Sequence, residues 1–219
     1  MKVKEIPVSL FNQARLTWQS QKRLEEGKET VPAVVSLASI PSRLGIVHIT
    51  IRSILDQSML PEKIILWLHQ DLKDRIPKKL SKLMGERFSI QFTTYSSSHR
   101  KLVEPLKIYP NKVIITCDDD MMYRKNWLSN LENPDRIIGN QTRCISYTDN
   151  NELLPYKNWS SGTYSCPNPK AVLPIGAGGT LYPPHSLDDR ALDQEVFLKL
   201  APKADDLWFK AMSLLKGTL

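Results

Sequence analysis

The stretch Lys112-Val-Ile-Ile-Thr-Cys-Asp-Asp-Asp120 joins an apolar run to three consecutive carboxylates. Its β-branched residues, Val113 to Ile115, are typical of a strand that is buried on both faces, as in a largely parallel sheet. The carboxylates follow at the carboxyl end of this strand, where open α/β sheets hold their ligands. The stretch therefore predicts an α/β fold with a ligand site at Asp118, Asp119 and Asp120.

A divalent cation is the simplest partner for these carboxylates, because adjacent anions that are partly removed from water repel one another. Residues i and i+2 of an extended turn point the same way, so Asp118 and Asp120 are predicted to bind one Mg²⁺ or Mn²⁺ ion. Phosphate oxygens would complete its coordination. The alternative is a solvated acidic turn or a helix N-terminus, both of which suit Asp. The buried strand favours the metal site.

Alternating strands and helices are predicted on both sides of this strand. After a helical lead-in at about 8–26, the apolar pattern predicts strands at 34–40, 63–69, 88–93 and 113–117 and helices at 46–57, 78–84 and 101–109. This order is typical of a mostly parallel twisted sheet flanked by helices. Later predictions are a helix near 126–131, a strand near 136–146, an irregular segment at 148–187, and helices at 187–200 and 206–215.

Composition narrows the class of protein. The chain has 219 residues, of which 41% are hydrophobic and 24% charged, as is ordinary for a soluble globular protein. No stretch approaches the roughly 20 apolar residues that span a bilayer, and the amino terminus lacks a secretory apolar core. Three widely spaced cysteines, an odd number, argue against a disulfide framework or a structural zinc site. We therefore expect a reducing, cytoplasmic setting.

The net charge of +7 favours anionic partners. No aromatic-interleaved RNA-binding pattern or recognition helix accompanies the basic residues, so a nucleic-acid partner is not predicted. Solvated helix faces explain most of the charge. Peripheral contact with the inner face of a membrane is the alternative explanation for the excess.

Two basic segments are candidates for nucleotide binding. Ser39 to Arg43 follows the first strand, and its Arg43 would reach from the carboxyl edge of the sheet toward a phosphate or a nucleobase. Ser96 to Lys101 precedes the helix that leads into the acidic strand. Each segment also has an ordinary explanation, as a strand–helix connection or a solvated basic turn. Neither a dinucleotide fingerprint nor a P-loop is present.

Two further segments lie in the second half of the chain. Pro174 to His185 contains glycines at 176, 178 and 179 that let backbone approach a ligand. Its His185 is a metal ligand, a contact to a diphosphate, or a structural histidine. Ala204-Asp-Asp-Leu-Trp208 opens the last helix. One of its carboxylates is suited to cap that helix, and a carboxylate at this place is also suited to act as a general base.

Taken in order, these segments resemble bacterial glycosyltransferases of the GT-A fold. The resemblance is carried by five stretches: Ser36-Leu-Ala-Ser-Ile-Pro-Ser-Arg43, Ile64-Ile-Leu-Trp-Leu-His69, Val113-Ile-Ile-Thr-Cys-Asp-Asp-Asp120, Gly178-Gly-Thr-Leu-Tyr-Pro-Pro184 and Ala204-Asp-Asp-Leu-Trp-Phe-Lys-Ala-Met212. It covers nearly everything from Val34 to Gly217 and implies a single catalytic domain at 31–219. Residues 1–30 carry none of it and are predicted to form a helical extension. Within the catalytic domain, residues 31–120 would form the nucleotide-binding half and residues 121–219 the acceptor-binding half.

The resemblance also implies an activity and its residues. The enzyme would move a sugar from a nucleotide-diphosphate donor, by default a UDP-sugar, to a glycan or lipid-linked acceptor in surface glycan synthesis. Mn²⁺ or Mg²⁺ would be held by Asp118 and Asp120. His185 is a candidate further ligand from its own segment, not from the resemblance. The donor would contact Arg43, Lys101, Asp118, Asp119, Gly178 and Gly179. Asp206, or else Asp205, would act as the general base of an inverting reaction.

Two other functions use the same features. Metal-dependent phosphoryl or nucleotidyl transfer relies on the same metal and phosphate chemistry. The chain lacks the Thr of the haloacid-dehalogenase nucleophile motif after Asp118, and it lacks the Gly-rich, Lys-containing amino-terminal loop of sugar nucleotidyltransferases. A non-catalytic nucleotide- or glycan-binding module is the third reading.

Overall fold

The structure, a computed structural model, describes residues 6–131, 135–162 and 166–218. Residues 1–5 of the predicted extension and 163–165 of the predicted irregular segment lie outside this part. Within the described residues, the strands are β1 Thr30–Ala38, β2 Leu60–His69, β3 Phe88–Thr93, β4 Val113–Cys117, β5 Ile138–Gly139, β6 Thr142–Cys144, β7 Ser160–Ser161, β8 Val172–Pro174 and β9 Thr180–Tyr182. The α-helices are α1 Ile6–Trp18, α2 Gln21–Glu25, α3 Val47–Leu55, α4 Lys78–Ser81, α5 Arg100–Ile108, α6 Gln194–Leu200 and α7 Asp205–Lys216.

Six strands form the main sheet in the order β3-β2-β1-β4-β9-β5 among the described residues. The first four pair in parallel, while β9 runs antiparallel to both β4 and β5. Strands β2 and β3 are added in turn on one side of β1, and β4 then pairs with β1 on its other side. The order of strands therefore reverses between β1 and β4, which creates a crevice at their carboxyl ends. The predicted α/β class and the mostly parallel sheet flanked by helices are confirmed.

The strands of this sheet are buried because their apolar residues are covered on both faces. One core contains α3 together with Leu16 of α1 and Leu24 of α2. The other contains Leu102 of α5 and Phe209 of α7. The helices near the amino terminus therefore pack into the same core as the sheet, although the sequence predicts them as an extension.

The second half of the chain is more irregular, as its composition predicts. A small antiparallel sheet, in the order β7-β6-β8, stands beside the main one. The helix predicted near 126–131 is a series of turns, and the strand predicted near 136–146 is divided into β5 and β6. The helix predicted at 187–200 is also divided, into a short 3-10 helix, Asp189–Leu192, and α6.

A disulfide joins Cys144 of β6 to Cys166. The expectation of no disulfide is therefore wrong. The odd number of cysteines is explained by Cys117, which is free and fully buried in β4. Because this disulfide removes the support that cysteine usage gave to a reducing setting, the cytoplasmic location stays a prediction. In the described residues, no helix is long and apolar enough to cross a membrane.

Candidate active site

A cleft of about 250 Å³ opens at the carboxyl ends of β1 and β4, where the strand order reverses. Four parts of the chain surround it: the segment after β1, the start of α5 with the turn before it, the acidic turn at residues 118–120 after β4, and the start of α7. The charged residues that line it are Arg43, Arg100, Lys101, Asp118, Asp119, Asp205 and Asp206. The structure thus brings together most of the residues that the sequence singled out.

Asp119 links the acidic turn, residues 118–120 after β4, to the segment after β1. Its carboxylate accepts a hydrogen bond from Arg43 Nη1 at 2.7 Å and another from the hydroxyl of Ser39. Its backbone carbonyl accepts a hydrogen bond from the hydroxyl of Thr50 in α3 at 2.8 Å. Because Asp119 is buried and both of its carboxylate oxygens are engaged, its main role in this structure is to hold the turn in place.

Lys101 lies between two carboxylates from different parts of the chain. Its ammonium nitrogen is 2.9 Å from Asp118 Oδ1 and 3.0 Å from Asp205 Oδ2. Burial would lower the pKa of Lys101, but the surrounding carboxylates raise it above its ordinary value. Burial likewise disfavours the ionised form of Asp205, yet the Lys101 ammonium holds the pKa of Asp205 below its usual range. Lys101 and Asp205 are therefore both charged at neutral pH.

Asp206, beside this pair, differs from Asp205. Its carboxylate accepts hydrogen bonds from the backbone N–H of Gly176, at 3.2 and 3.1 Å. Burial and the nearby charge of Asp205 raise the pKa of Asp206 to about 6. A carboxylate with this pKa exchanges protons near neutral pH, as a general base must. Asp206 also lines a second, apolar-walled cavity of about 50 Å³ that contains Tyr182 and Phe209.

Two buried side chains at the start of α5, His99 and Arg100, contact the residues that surround the cleft. Arg100 donates hydrogen bonds to the backbone carbonyls of Ser39 and Tyr95. His99 stacks on Phe197 with 4.3 Å between the ring centroids, and burial lowers the pKa of His99 to about 4. His99 is therefore neutral at pH 7, and Arg100 ties the start of α5, which carries Lys101, to the segment after β1.

Asp120 and the predicted glycines occupy different surroundings. Asp120 is 3.1 Å from Arg43 and its side chain is 40% exposed. Gly178 and Gly179 instead pack on other parts of the protein: the Gly178 carbonyl accepts a hydrogen bond from Trp127, and a Cβ on Gly179 would lie 2.5 Å from the Trp127 ring nitrogen. The glycine whose backbone reaches the cleft is Gly176.

His185 is not brought to the acidic turn. Strand β9 runs antiparallel to β4 and pairs Tyr182 with Ile114, so the chain leaves β9 at the amino end of β4. There the His185 ring nitrogen is 3.0 Å from Asn111 Oδ1. Five strand residues separate this end from Asp118, roughly 16 Å at the rise of a β-strand. The predicted contribution of His185 to a metal site with Asp118 and Asp120 therefore has no geometric basis.

The charges of the cleft are compatible with a divalent cation. Five carboxylates surround it, counting Asp120, against the three cations Arg43, Arg100 and Lys101. Oxygen ligands of this kind suit Mg²⁺ and Mn²⁺. Within the three described ranges, however, no three His, Cys, Asp or Glu side chains are grouped so that they would hold a metal ion by themselves. An ion at Asp118 and Asp120 would thus need oxygens from a bound phosphate.

Ser39 and Gly176 lie in segments that the sequence pattern selects, but the pattern does not predict that either holds a carboxylate of the cleft. Ser39 follows β1 directly, and its register beside Asp119 is set by the pairing of Leu37 with Cys117. The pairing of parallel strands predicts that the first residues beyond them meet. Gly176 is marked in the sequence only by its place in the glycine-rich stretch 176–179.

No protein-family model matches the chain, and no curated protein matches it. Among solved structures, it is similar to a 4-diphosphocytidyl-2C-methyl-D-erythritol synthase from Anaerococcus prevotii. The TM-score is 0.40 at 18% sequence identity, and the match covers 64% of this chain and 70% of that chain. A similarity this low carries no information about function.

Proposed function

We propose that the cleft binds a nucleoside diphosphate-sugar and transfers its sugar to a hydroxyl group of a glycan or lipid-linked acceptor, in the manner of a GT-A glycosyltransferase. The observation that carries the proposal is the meeting of Arg43, Asp118 and Asp206 in one cleft at the reversal of strand order. This is the position in which α/β sheets bind nucleotides. It combines a cation for phosphate, carboxylates for a metal, and a proton acceptor.

Arg43 is assigned to the donor phosphates. Its side chain is 41% exposed, and the guanidinium has five N–H donors, of which the contacts to Asp119 and Asp120 use only part. The remaining donors can bind a phosphate in the bidentate manner that arginine favours. Lys101 is only 7% exposed and is held by two carboxylates, so it positions Asp118 and Asp205 rather than binding the donor directly.

Asp206 is assigned to the acceptor. It would take the proton of the acceptor hydroxyl as the new bond forms between that oxygen and C1 of the sugar. The bond from C1 to the phosphate oxygen breaks at the same time, and the nucleoside diphosphate leaves with its electron pair. The N–H of Gly176 holds the carboxylate in place. Because attack comes from the side opposite the leaving group, this reaction would invert C1.

Asp118 and Asp120 would hold Mn²⁺ or Mg²⁺ together with the donor diphosphate. When bound, such an ion supplies positive charge that stabilises the departing nucleoside diphosphate. The partial exposure of both carboxylates fits this role, whereas the buried Asp119 does not.

Nucleotidyl transfer is the second candidate, because the same set of carboxylates and cations suits a metal-bound nucleoside triphosphate. The raised pKa of Asp206 favours sugar transfer. A sugar phosphate that attacks a nucleotide is already an anion and needs no general base, whereas a neutral hydroxyl does.

The test begins with calorimetric titration and thermal-shift measurements of UDP, GDP and CDP, each with and without Mn²⁺. We expect one nucleotide to stabilise the protein in a Mn²⁺-dependent way, and Asp120→Asn to remove the dependence on Mn²⁺. Asp74→Asn is the matched control, because Asp74 is exposed and lies outside the cleft.

The reaction products then distinguish the candidate functions. Release of the nucleoside diphosphate together with a sugar-bearing acceptor supports glycosyl transfer. Release of pyrophosphate from a nucleoside triphosphate and a sugar phosphate would replace it with nucleotidyl transfer. Tight binding without any product from a panel of donors and acceptors would favour a binding module. Absence of binding by all three nucleotides in Mn²⁺ would contradict the proposal.

A further inference from the structure

Helix α1 presents an apolar stripe to solvent. Pro7, Leu10, Phe11, Ala14 and Trp18 recur at intervals of three and four residues and so share one side of the helix. The side chains of Leu10, Phe11 and Trp18 are 60%, 68% and 88% exposed. The buried residue of α1, Leu16, faces the opposite way, into the core shared with α3. Within the part of the chain that the structure describes, the stripe is therefore not used in packing the protein itself.

The charged residues within α1 and in the stretch directly after it are basic, and the acidic Glu25 and Glu26 come only after Leu24. From Ile6 to Leu24 the sequence contains no acidic residue but three basic ones, Arg15, Lys22 and Arg23. Lys22 and Arg23 are exposed and follow Trp18 within five residues. Exposed aromatic and aliphatic side chains on a helix that carries and is followed by basic residues are typical of helices that lie in the interface of an anionic membrane.

A basic cavity of about 370 Å³ adjoins one flank of α1. It is lined by Asn12 and Arg15 of the helix and by Arg124 and Lys125 of the turn after the acidic strand. Asp56 is the one acidic residue in its lining, and it pairs with Arg15 at 2.6 Å and lies 4.0 Å from Lys125. Three cations against one carboxylate leave this cavity positive, which suits a phosphate group.

The other flank of α1 leads to the candidate active site. Gln13 shares a cavity of about 160 Å³ with Asp119, Asp120 and the half-exposed Ile46 and Met121. A surface that covered the stripe would therefore lie close to the acidic turn.

We propose that α1 lies flat on a bilayer of anionic phospholipids, with the stripe among the acyl chains and the basic cavity around a headgroup phosphate. At 13 residues, α1 is about 20 Å long, so it would lie on the membrane rather than span it. A second copy of the chain is a poorer occupant, because a symmetric contact would bring the two sets of basic flanking residues together. The proposal does not depend on the reaction assigned to the cleft.

Trp18 gives a direct measurement. The other four tryptophans, at positions 67, 127, 159 and 208, are buried, so a change of polarity at Trp18 dominates the shift of the emission. We expect a blue shift when vesicles of phosphatidylcholine with phosphatidylglycerol are added, and little shift with phosphatidylcholine alone. Brominated acyl chains should quench the emission, and the binding seen by co-sedimentation should weaken as salt is added.

Paired variants test the surface. The double change Leu10→Ser and Phe11→Ser keeps the Trp18 probe and should weaken vesicle binding by at least about tenfold. The double change Arg124→Glu and Lys125→Glu should weaken binding to anionic vesicles by at least about tenfold as well. The matched control, Leu200→Ser with Leu215→Ser, removes exposed apolar side chains from α6 and α7 and should bind as the wild type does.

Three outcomes would overturn the proposal: no blue shift with anionic vesicles, vesicle binding that both test variants retain in full, or a wild-type dimer in solution that the Leu10 and Phe11 changes convert to a monomer. The last outcome would show that a second copy covers the stripe. Nucleotide titration of the same variants keeps this result separate from the proposed reaction, since vesicle binding needs no donor and donor binding needs no vesicle.

Discussion

The Arg43 guanidinium donates a hydrogen bond of 2.7 Å to the Asp119 carboxylate across the reversal of strand order, joining the segments that follow β1 and β4. The same carboxylate accepts from Ser39, and Thr50 donates to the Asp119 backbone. Arg43 reaches Asp120 as well, at 3.1 Å. One arginine thus contacts two adjacent aspartates, of which the first is buried and the second is exposed.

Asp119→Ala and Asp120→Ala should therefore differ in stability. Removing Asp119 leaves the buried Ser39 hydroxyl without its partner and Arg43 with only Asp120, and we expect a loss of about 1–3 kcal/mol in the free energy of unfolding. Removing the exposed Asp120 should cost about 1 kcal/mol or less. Urea unfolding of the two variants measures both. Equal losses would contradict the assignment of Asp119 as the structural member of the triplet.

Lys101→Met should unfold more easily than the wild type, because it leaves the Asp118 and Asp205 carboxylates without their shared cation. We expect a loss of about 3–5 kcal/mol. Lys107→Met is the control on the same helix, where the lysine is 42% exposed and pairs with Glu104. It should change stability by about 0.5 kcal/mol or less. If the two variants melt alike, Lys101 does not organise the cleft.

The strands of the parallel sheet were predictable because their residues are apolar without interruption. Val113–Cys117 and Phe88–Thr93 match their predicted bounds. The strand order that places Arg43 beside Asp119 is not predicted by the sequence pattern and is seen only in the structure. The sequence could not show that Asp119 is buried while its neighbours stay exposed, because all three are the same residue type. Only the contact with Ser39 and Thr50 distinguishes them.

The second half was less predictable because its contacts are made by loops. His185 and Gly176 lie in one segment, yet the antiparallel direction of β9 sends them to opposite ends of β4. Nothing in the local pattern gives that direction. The disulfide between Cys144 and Cys166 likewise depends on the path of a loop rather than on cysteine spacing.

Gly176→Ala should impair activity more than stability. A Cβ at this position would lie 2.8 Å from Asp206 Oδ1 and 2.9 Å from Lys101 Nζ, so at least one of the two must move. A displaced base costs on the order of a hundredfold in rate. Gly45→Ala is the control, since a Cβ there meets nothing within 4 Å. Steady-state kinetics with the identified donor measures the effect. An unchanged kcat in Gly176→Ala would exclude Asp206 as the base held by that N–H.

The disulfide predicts the number of reactive thiols. In the denatured, unreduced protein, a thiol reagent should detect one cysteine, Cys117, and after reduction it should detect three. Closing a loop of 22 residues should contribute about 3 kcal/mol, so Cys166→Ser should lower the midpoint of urea unfolding. Three thiols before reduction would show that the bond does not form.

The pKa of Asp206 predicts how activity depends on pH. A general base must be ionised, so kcat should rise with pH and level off above about 6. Asp206→Asn should lower kcat by about a hundredfold to ten-thousandfold and abolish this rise. Asp205→Asn removes the neighbouring charge that raises the pKa, so any activity it retains should level off at a lower pH.

The raised pKa of Asp206 also affects stability: activity should rise with pH, whereas the free energy of unfolding should fall. Because the folded protein holds the Asp206 proton up to about pH 6 and the unfolded chain releases it near the ordinary value of 3.8, this group stabilises the folded state below that ordinary value. The contribution is lost as the pH rises from about 4 to 6, and its loss should cost about 3 kcal/mol. Asp206→Asn should remove this fall and unfold no more easily than the wild type at pH 8. Urea titrations at pH 4, 6 and 8 measure the difference, and a wild type whose stability relative to the variant rises over this window would show that Asp206 is not the carboxylate with the raised pKa.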